Sequence, residues 1–195
     1  MIPNLIPGLS PRPTKADIVS VDFETSGRNA RFHEILEVAA IRVDPETYLE
    51  RARFVAKVRP TMPVDPEAAA INGYTPDGWR DAISLDEALR GLHPVIEGAR
   101  WLGSKPDFDF GFLETSTRAC GREMPTLATH RLVDISGMAE PLFVAGAIRS
   151  GGLEALCAFF EIRTKFHRAE LDALAVLEVY RSLLRLLLPA IRGRS

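Results

Sequence analysis

Apolar positions along the chain change period near Pro60. Before it, residues 17–24 (DIVSVDFE), 34–43 (EILEVAAIRV) and 49–58 (LERARFVAKV) are short runs rich in Ile and Val, which predict three strands. The proline-containing turn at 44–47 (DPET) separates the last two, and strands in direct succession predict an antiparallel meander. Beyond Pro60, helices are expected at 66–71 and 84–98, the second opened by Ser84 with Glu87 three residues on, a capping-box signature. Short strands at 99–103 and 131–135 alternate with a helix near 107–120. Helix is then expected in part of 137–146, in 151–161 behind a glycine pair, and over about 167–188. The last has an apolar stripe through Val176, Val179, Leu183 and Leu187. A meander followed by alternating helices and strands predicts an α/β domain, a mixed sheet with helices on its faces. Four prolines in residues 1–13 set residues 1–15 apart as a proline-rich leader, leaving 16–190 as one domain.

Two acids interrupt this pattern where none is needed for folding. Strand side chains alternate, so Ile18, Ser20, Asp22 and Glu24 share a face, with the two carboxylates about 6–7 Å apart at ~3.3 Å per residue. Held that close in a partly buried site they repel. Either a divalent cation with a taste for hard oxygen ligands offsets the repulsion, or the strand end is exposed and both acids meet water. On the last helix, Asp172 lies one turn before Val176 and heads the core-facing stripe, a place that ordinarily holds Leu or Ala. His167 lies five residues earlier, at the helix entrance, either as a surface or core histidine or as a titratable partner of the acids. On the middle helix Phe108 and Phe112 share a face, Asp109 sits beside them at the edge of the apolar surface, and Asp107 is a first-turn acid.

Composition changes this picture little. The chain has 195 residues, 46% of them hydrophobic, and a net charge of −2, so no global basic field marks a nucleic-acid partner; a compact site needs only a local patch. Two cysteines, Cys120 and Cys157, exclude a disulfide scaffold, have no zinc-ligand spacing and are expected to be reduced core residues. No run approaches the roughly 18 apolar residues of a membrane span, and the N-terminus lacks a signal-peptide pattern, so no membrane partner and a cytoplasmic location are expected. Trp79 is read as a loop anchor and Trp101 as core. Glu34 and Glu37 either approach the acids or are ordinary strand residues, one exposed and one hydrogen-bonded. Arginines 181, 185, 192 and 194 form a basic tail, either a solvated helix end or a nucleic-acid grip.

Order along the chain makes these signals specific. DFETSG (22–27), FDFGFL (108–113) and HRAELDALA (167–175) resemble the three motifs of the DEDDh (DnaQ-like) 3′–5′ exonucleases of the ribonuclease-H-like superfamily. Residues 60–75 (PTMPVDPEAAAINGYT), 131–135 (RLVDI) and 150–156 (SGGLEAL) add support, and the resemblance spans roughly 16–188. It implies a mixed five-stranded sheet, three antiparallel strands plus parallel ones, flanked by helices. It also implies a phosphodiesterase using two Mg²⁺ or Mn²⁺ ions, bound by Asp22, Glu24, Asp109 and Asp172, with His167 as general base. Single-stranded DNA or RNA 3′ ends would be the substrate and nucleoside 5′-monophosphates the product, with Glu24 and the backbone around Thr25 holding the terminal 3′-hydroxyl. A polymerase or another replication or repair protein is the implied partner. Lys105 departs from the family, which carries Asn four residues before its middle acid; it either contacts a phosphate, perturbs the site or marks a changed substrate preference. Tyr74 either stacks on a terminal base or packs under the neighbouring loop. The alternatives left open are a catalytically weak nucleic-acid-binding module and a polymerase-associated proofreading subunit of the same fold.

Overall fold

β1 (Ile18–Thr25), β2 (Ile35–Val43) and β3 (Glu50–Lys57) form the expected meander, antiparallel at both junctions. They belong to a computed structural model that describes residues 16–129 and 131–192, with side chains to Leu186. The expected leader, Leu187 as a side chain, Arg192 as a side chain and Arg194 lie outside the described residues. β4 (Arg100–Gly103) and β5 (Val133–Asp134) join in parallel at the other edge of β1, giving the order β3-β2-β1-β4-β5. The helices are α1 (Pro66–Asn72), α2 (Leu85–Ile96), α3 (Pro106–Ala119), α4 (Ile135–Met138), α5 (Glu140–Val144), α6 (Leu153–Phe159) and α7 (Ala169–Arg192). This is the mixed, helix-flanked five-stranded sheet that the sequence motifs imply.

The period-2 pattern of β1 decides which layer covers which face. Ile18, with Ala39, Ile41 and Leu102, packs beneath Ala173, Val176, Val179 and Leu183 of α7. Val19, Val21 and Phe23, with Val38, Ala40 and Trp101, pack beneath Leu89, Leu92 and Ile96 of α2 and Phe112 and Leu113 of α3. Ser20 sits on the α7 face without cost because its hydroxyl donates to the Ala173 carbonyl at 2.8 Å. Trp79 is the anchor expected of it: buried in a 3-10 turn (Asp77–Trp79), its indole N–H donates to the Leu36 carbonyl at 2.7 Å. Trp101 is fully buried core, and Cys157 is a free thiol buried in the α7-side core.

Element ends differ from expectation where a side chain intervenes. α2 starts as the capping box requires, with Ser84 Oγ taking the Glu87 N–H and the Glu87 carboxylate taking the Ser84 N–H. β5 is only two residues long, because the Asp134 carboxylate accepts from the Ser136 N–H and turns the chain into α4. α6 begins at Leu153, since Gly152 is extended. α7 begins at Ala169, because His167 stands in the left-handed region at φ 64° and cannot continue a helix.

The two stacked phenylalanines of α3, their ring centroids 5.0 Å apart, should separate in a stability measurement. Phe112 is 2% exposed and Phe108 39%. Phe112→Ala should cost about 3–5 kcal/mol in denaturant unfolding, whereas Phe108→Ala should cost well under half of that; equal losses would contradict the assigned layers.

Candidate active site

The site is built where β1 loses a neighbour. β4 pairs with β1 only as far as Ser20, and beyond Gly103 the chain turns away through Lys105, at φ 58°, into α3. A β-carbon on Gly103 would lie 2.9 Å from Pro106 Cβ, so only glycine permits that tight departure. With β4 gone from that side of the strand, the Phe23 N–H donates instead to Asp109 Oδ1 at 2.9 Å, which fixes the α3 acid against the end of β1. Asp22 and Glu24 stand on the α7 face of the same strand end, as alternation demands.

Asp172 comes from the first turn of α7. Its Oδ2 accepts from the His167 N–H at 2.9 Å, holding the left-handed turn in place. Its Oδ1 is buried and has no hydrogen-bond partner among the described residues. Donor atoms of Glu24, His167 and Asp172 lie within 4.8 Å of one another. The His167 ring is half-exposed, with Nε2 3.6 Å from Glu154 Oε1. The four expected site acids and the histidine thus come from three distant segments, Glu24, His167 and Asp172 in one tight group and Asp22 and Asp109 beside it at the end of β1.

Their electrostatics are those of like charges in too small a space. Burial, then Asp109, Asp172, Glu24 and Glu37, hold Asp22 well above the usual carboxylate range. Burial, then Asp172 and Glu37, push Glu24 up to about 8, with Arg168 pulling the other way. Burial raises Asp109 to about 8 against the opposing Phe23 N–H, and burial raises Asp172 against the His167 N–H and ring. A divalent cation reverses the sign of these interactions. Hard carboxylate oxygens, one of them buried and without a partner, fit Mg²⁺ or Mn²⁺.

Beside the acids lies a cleft of about 370 Å³, lined by Phe23, Glu24 and Thr25 from β1, Ile71 and Asn72 from α1, and Phe108 from α3, among others. Buried Asn72 donates from Nδ2 to the Thr25 carbonyl at 3.1 Å and fastens the end of α1 to the end of β1. Ile71 and Phe108 remain substantially exposed on the cleft. Thr25 turns its hydroxyl to the Gly27 carbonyl at 2.8 Å, closing the loop after β1. Two expected contacts lie elsewhere. Tyr74 packs on Trp79, centroids 5.2 Å apart, and does not line the cleft, where the exposed large apolar side chains are Ile71 and Phe108. Lys105 is exposed at the start of α3, its backbone N–H on Asp134 Oδ1 at 3.2 Å, and its side chain does not line the cleft either.

Both glutamates of β2 and its approach are hydrogen-bonded. Glu34 accepts from Thr61 and Met62, whereas Glu37, directly opposite Glu24 in the strand ladder, is buried and paired with Arg168. Arg168 carried no separate signal in the sequence beyond following His167 in the motif. Phe108 was noted for stacking, but Ile71 and Glu154 gave no sign of facing a site, since helix periodicity does not show which loop closes over an element.

The exonuclease model of the RNase_T family matches residues 19–180. The chain belongs to that family. A DNA polymerase III subunit epsilon of Pasteurella multocida is 28% identical over 170 residues, covering 83% of this chain and 66% of the relative, so the chain spans just under two thirds of that protein. Exonuclease I of Methylocaldum szegediense superposes with a TM-score of 0.71 at 22% identity, over 90% of this chain and 42% of its own. E. coli exonuclease I in complex with a dA16 oligonucleotide does so at 0.74 and 18%, over 90% and 42%. These likenesses establish the ribonuclease-H-like fold. No helix among the described residues is long and apolar enough to cross a membrane.

Because burial and repulsion raise these carboxyl pKa values in the folded exonuclease domain, folding favours their protonated forms. That stability is present below the unfolded value, 4.5 for glutamate, and is lost as pH rises toward about 8. Melting in EDTA should therefore show Tm falling across that window, and Asp172→Asn should fall less. Asparagine keeps an oxygen for the His167 N–H and removes a charge, and each kcal/mol relieved is worth about 2–4 °C. Mn²⁺ should raise Tm more at the alkaline end. Superimposable pH profiles for the two chains would contradict the repulsive cluster.

Proposed function

We propose that the chain is a metal-dependent 3′–5′ exonuclease that removes nucleoside 5′-monophosphates from the 3′ ends of single-stranded DNA or RNA. The observation that carries this reading is the convergence of Asp22, Glu24, Asp109, Asp172 and His167 beside a cleft with apolar walls. A domain that only bound nucleic acid would gain nothing from a buried, repulsive set of acids, and the binding-module reading is the poorer account.

Each residue has a task that its setting supports. Asp22, Glu24, Asp109 and Asp172 would hold two Mg²⁺ or Mn²⁺ ions, with Asp109 oriented by the Phe23 N–H and Asp172 by the His167 N–H. Bound there, such ions lower the pKa of an attacking water and offset charge on the departing 3′ oxygen. His167 accepts the proton of that water, and Glu154 faces the charge the ring then carries. Glu24 and the Thr25 backbone hold the terminal 3′-hydroxyl, while Ile71 and Phe108 receive the last base. The expected stacking by Tyr74 and phosphate contact by Lys105 have no support in the cleft geometry.

Relatives named as DNA polymerase III subunits support association with a polymerase, and with it a cytoplasmic setting; solved relatives named as oligonucleotide complexes support the single-stranded substrate.

A 5′-labelled single strand with Mn²⁺ should give a ladder shortening from the 3′ end, abolished by EDTA and by Asp22→Ala or Asp172→Ala. His167→Ala should slow the rate by about 10²–10⁴-fold and alter its pH dependence. Shortening from the 5′ end, or turnover in either aspartate variant, would refute the assignment. Phe108→Ala should weaken substrate use by roughly 1–3 kcal/mol, the worth of one stacked base, read as kcat/KM.

A further inference from the structure

Glu37 and Arg168 stand beside the site without a role in the chemistry so far. Glu37 is buried, 2% exposed, and is the direct cross-strand neighbour of Glu24. A fifth carboxylate there adds to the repulsion on Asp22 and Glu24. Its partner is bound through one edge only: Arg168 Nε and Nη2 donate to the two Glu37 oxygens at 3.2 and 3.1 Å. Nη1 has no hydrogen-bond partner among the described residues, and the Arg168 side chain is 42% exposed against 3% for Glu37. The fork is thus tied to Glu37 along one edge, on a side chain that remains partly exposed. Arg168 also follows His167 directly and accepts the Asp172 N–H on its carbonyl, so its backbone is part of the turn that carries the histidine. Its positive charge is felt at Glu24.

A strand approaching this cluster brings a negative phosphate toward several negative carboxylates. A planar cation with spare donors, locked beside the acids, is the chemistry that receives a phosphate oxygen.

We infer that Arg168, clamped by Glu37, binds a non-bridging oxygen of the phosphodiester chain presented to the carboxylates, an inference that rests on the exonuclease reading. Glu37 is then a positioning residue: its carboxylate neutralises half of the guanidinium fork and aims the rest.

The competing account is that Arg168 only neutralises buried Glu37. Four variants of this chain separate the two: Arg168→Gln, Arg168→Lys, Glu37→Gln and the double variant Glu37→Gln/Arg168→Gln. Each is checked for an intact melting transition and assayed with Mn²⁺ on a labelled single strand. Loss of one charge-assisted contact should lower kcat/KM of Arg168→Gln roughly 10- to 100-fold. Arg168→Lys should recover part of that, and the double variant should stay as low as Arg168→Gln. Binding of the same strand with Ca²⁺ in place of Mn²⁺ should lose roughly 0.7 from its log–log salt slope in Arg168→Gln and in the double variant, the two chains with no charge at position 168. A double variant restored to the wild-type rate, or an unchanged salt slope in Arg168→Gln, overturns the inference while leaving the exonuclease reading intact. If Arg168→Gln does not fold, Arg168→Lys at the full wild-type rate and with parallel salt dependence overturns it in the same way. A wild-type chain that yields no ladder overturns the exonuclease reading and this inference with it.

Discussion

Repulsion among carboxylates at the end of β1 is the constraint around which the rest is arranged. Asp22 and Glu24 project from one strand end, Asp109 arrives from α3 and Asp172 from α7, and burial removes the water that would otherwise screen them. A fold left to maximise its own stability would place leucine or alanine at several of these positions. Keeping acids there requires structure that holds each one against its preference to swing outward. The Phe23 N–H holds Asp109 and the His167 N–H holds Asp172, two charge-assisted hydrogen bonds that define direction as well as distance.

Those two donors exist because regular structure stops at the site. Had β4 continued beside β1, the Phe23 N–H would face another strand; at the start of α7, the left-handed His167 turns its N–H back onto the Asp172 carboxylate. Left-handed residues at Lys105 and His167 mark both departures. The surrounding core is ordinary by comparison, a sheet with α7 on one face and α2 and α3 on the other, and its rigidity lets a strand end and two helix starts meet with little slack. Asn72 extends the same device to the cleft beside the acids, joining α1 to the Thr25 carbonyl.

Much of this could be read in advance, and the reason differs by residue. The meander, α2 with its Ser84–Glu87 box and the α7 stripe follow from periodicity and capping, which are local properties. Asp172 was legible because it breaks a stripe, and Asp22 with Glu24 because they end an apolar strand. Asp109 was legible mainly through its place in a known motif order. Contacts set by tertiary approach were not: Arg168 meets Glu37 across 131 residues, and nothing in either segment announces the other. Tyr74 shows the same limit from the opposite side. Its position in the sequence allowed either a base platform or packing under the neighbouring loop, and the turn that delivers Trp79 to its ring gives it a packing partner. Ile71 and Phe108 line the cleft instead, a fact decided by where α1 and α3 end up rather than by their own patterns. Helix starts were misjudged by a residue or two for a related reason, since a single φ value at His167 or an extended Gly152 outweighs the periodicity that follows.

The central claim is that carboxylates from distant segments share cations rather than merely tolerate one another. An anomalous-difference map from crystals equilibrated with Mn²⁺ near pH 8 tests it most directly. The account predicts strong peaks bounded by Asp22, Glu24, Asp109 and Asp172, including one against the buried Oδ1 of Asp172. Crystals of the intact chain with no peak among these side chains, or with the manganese bound elsewhere, would contradict it.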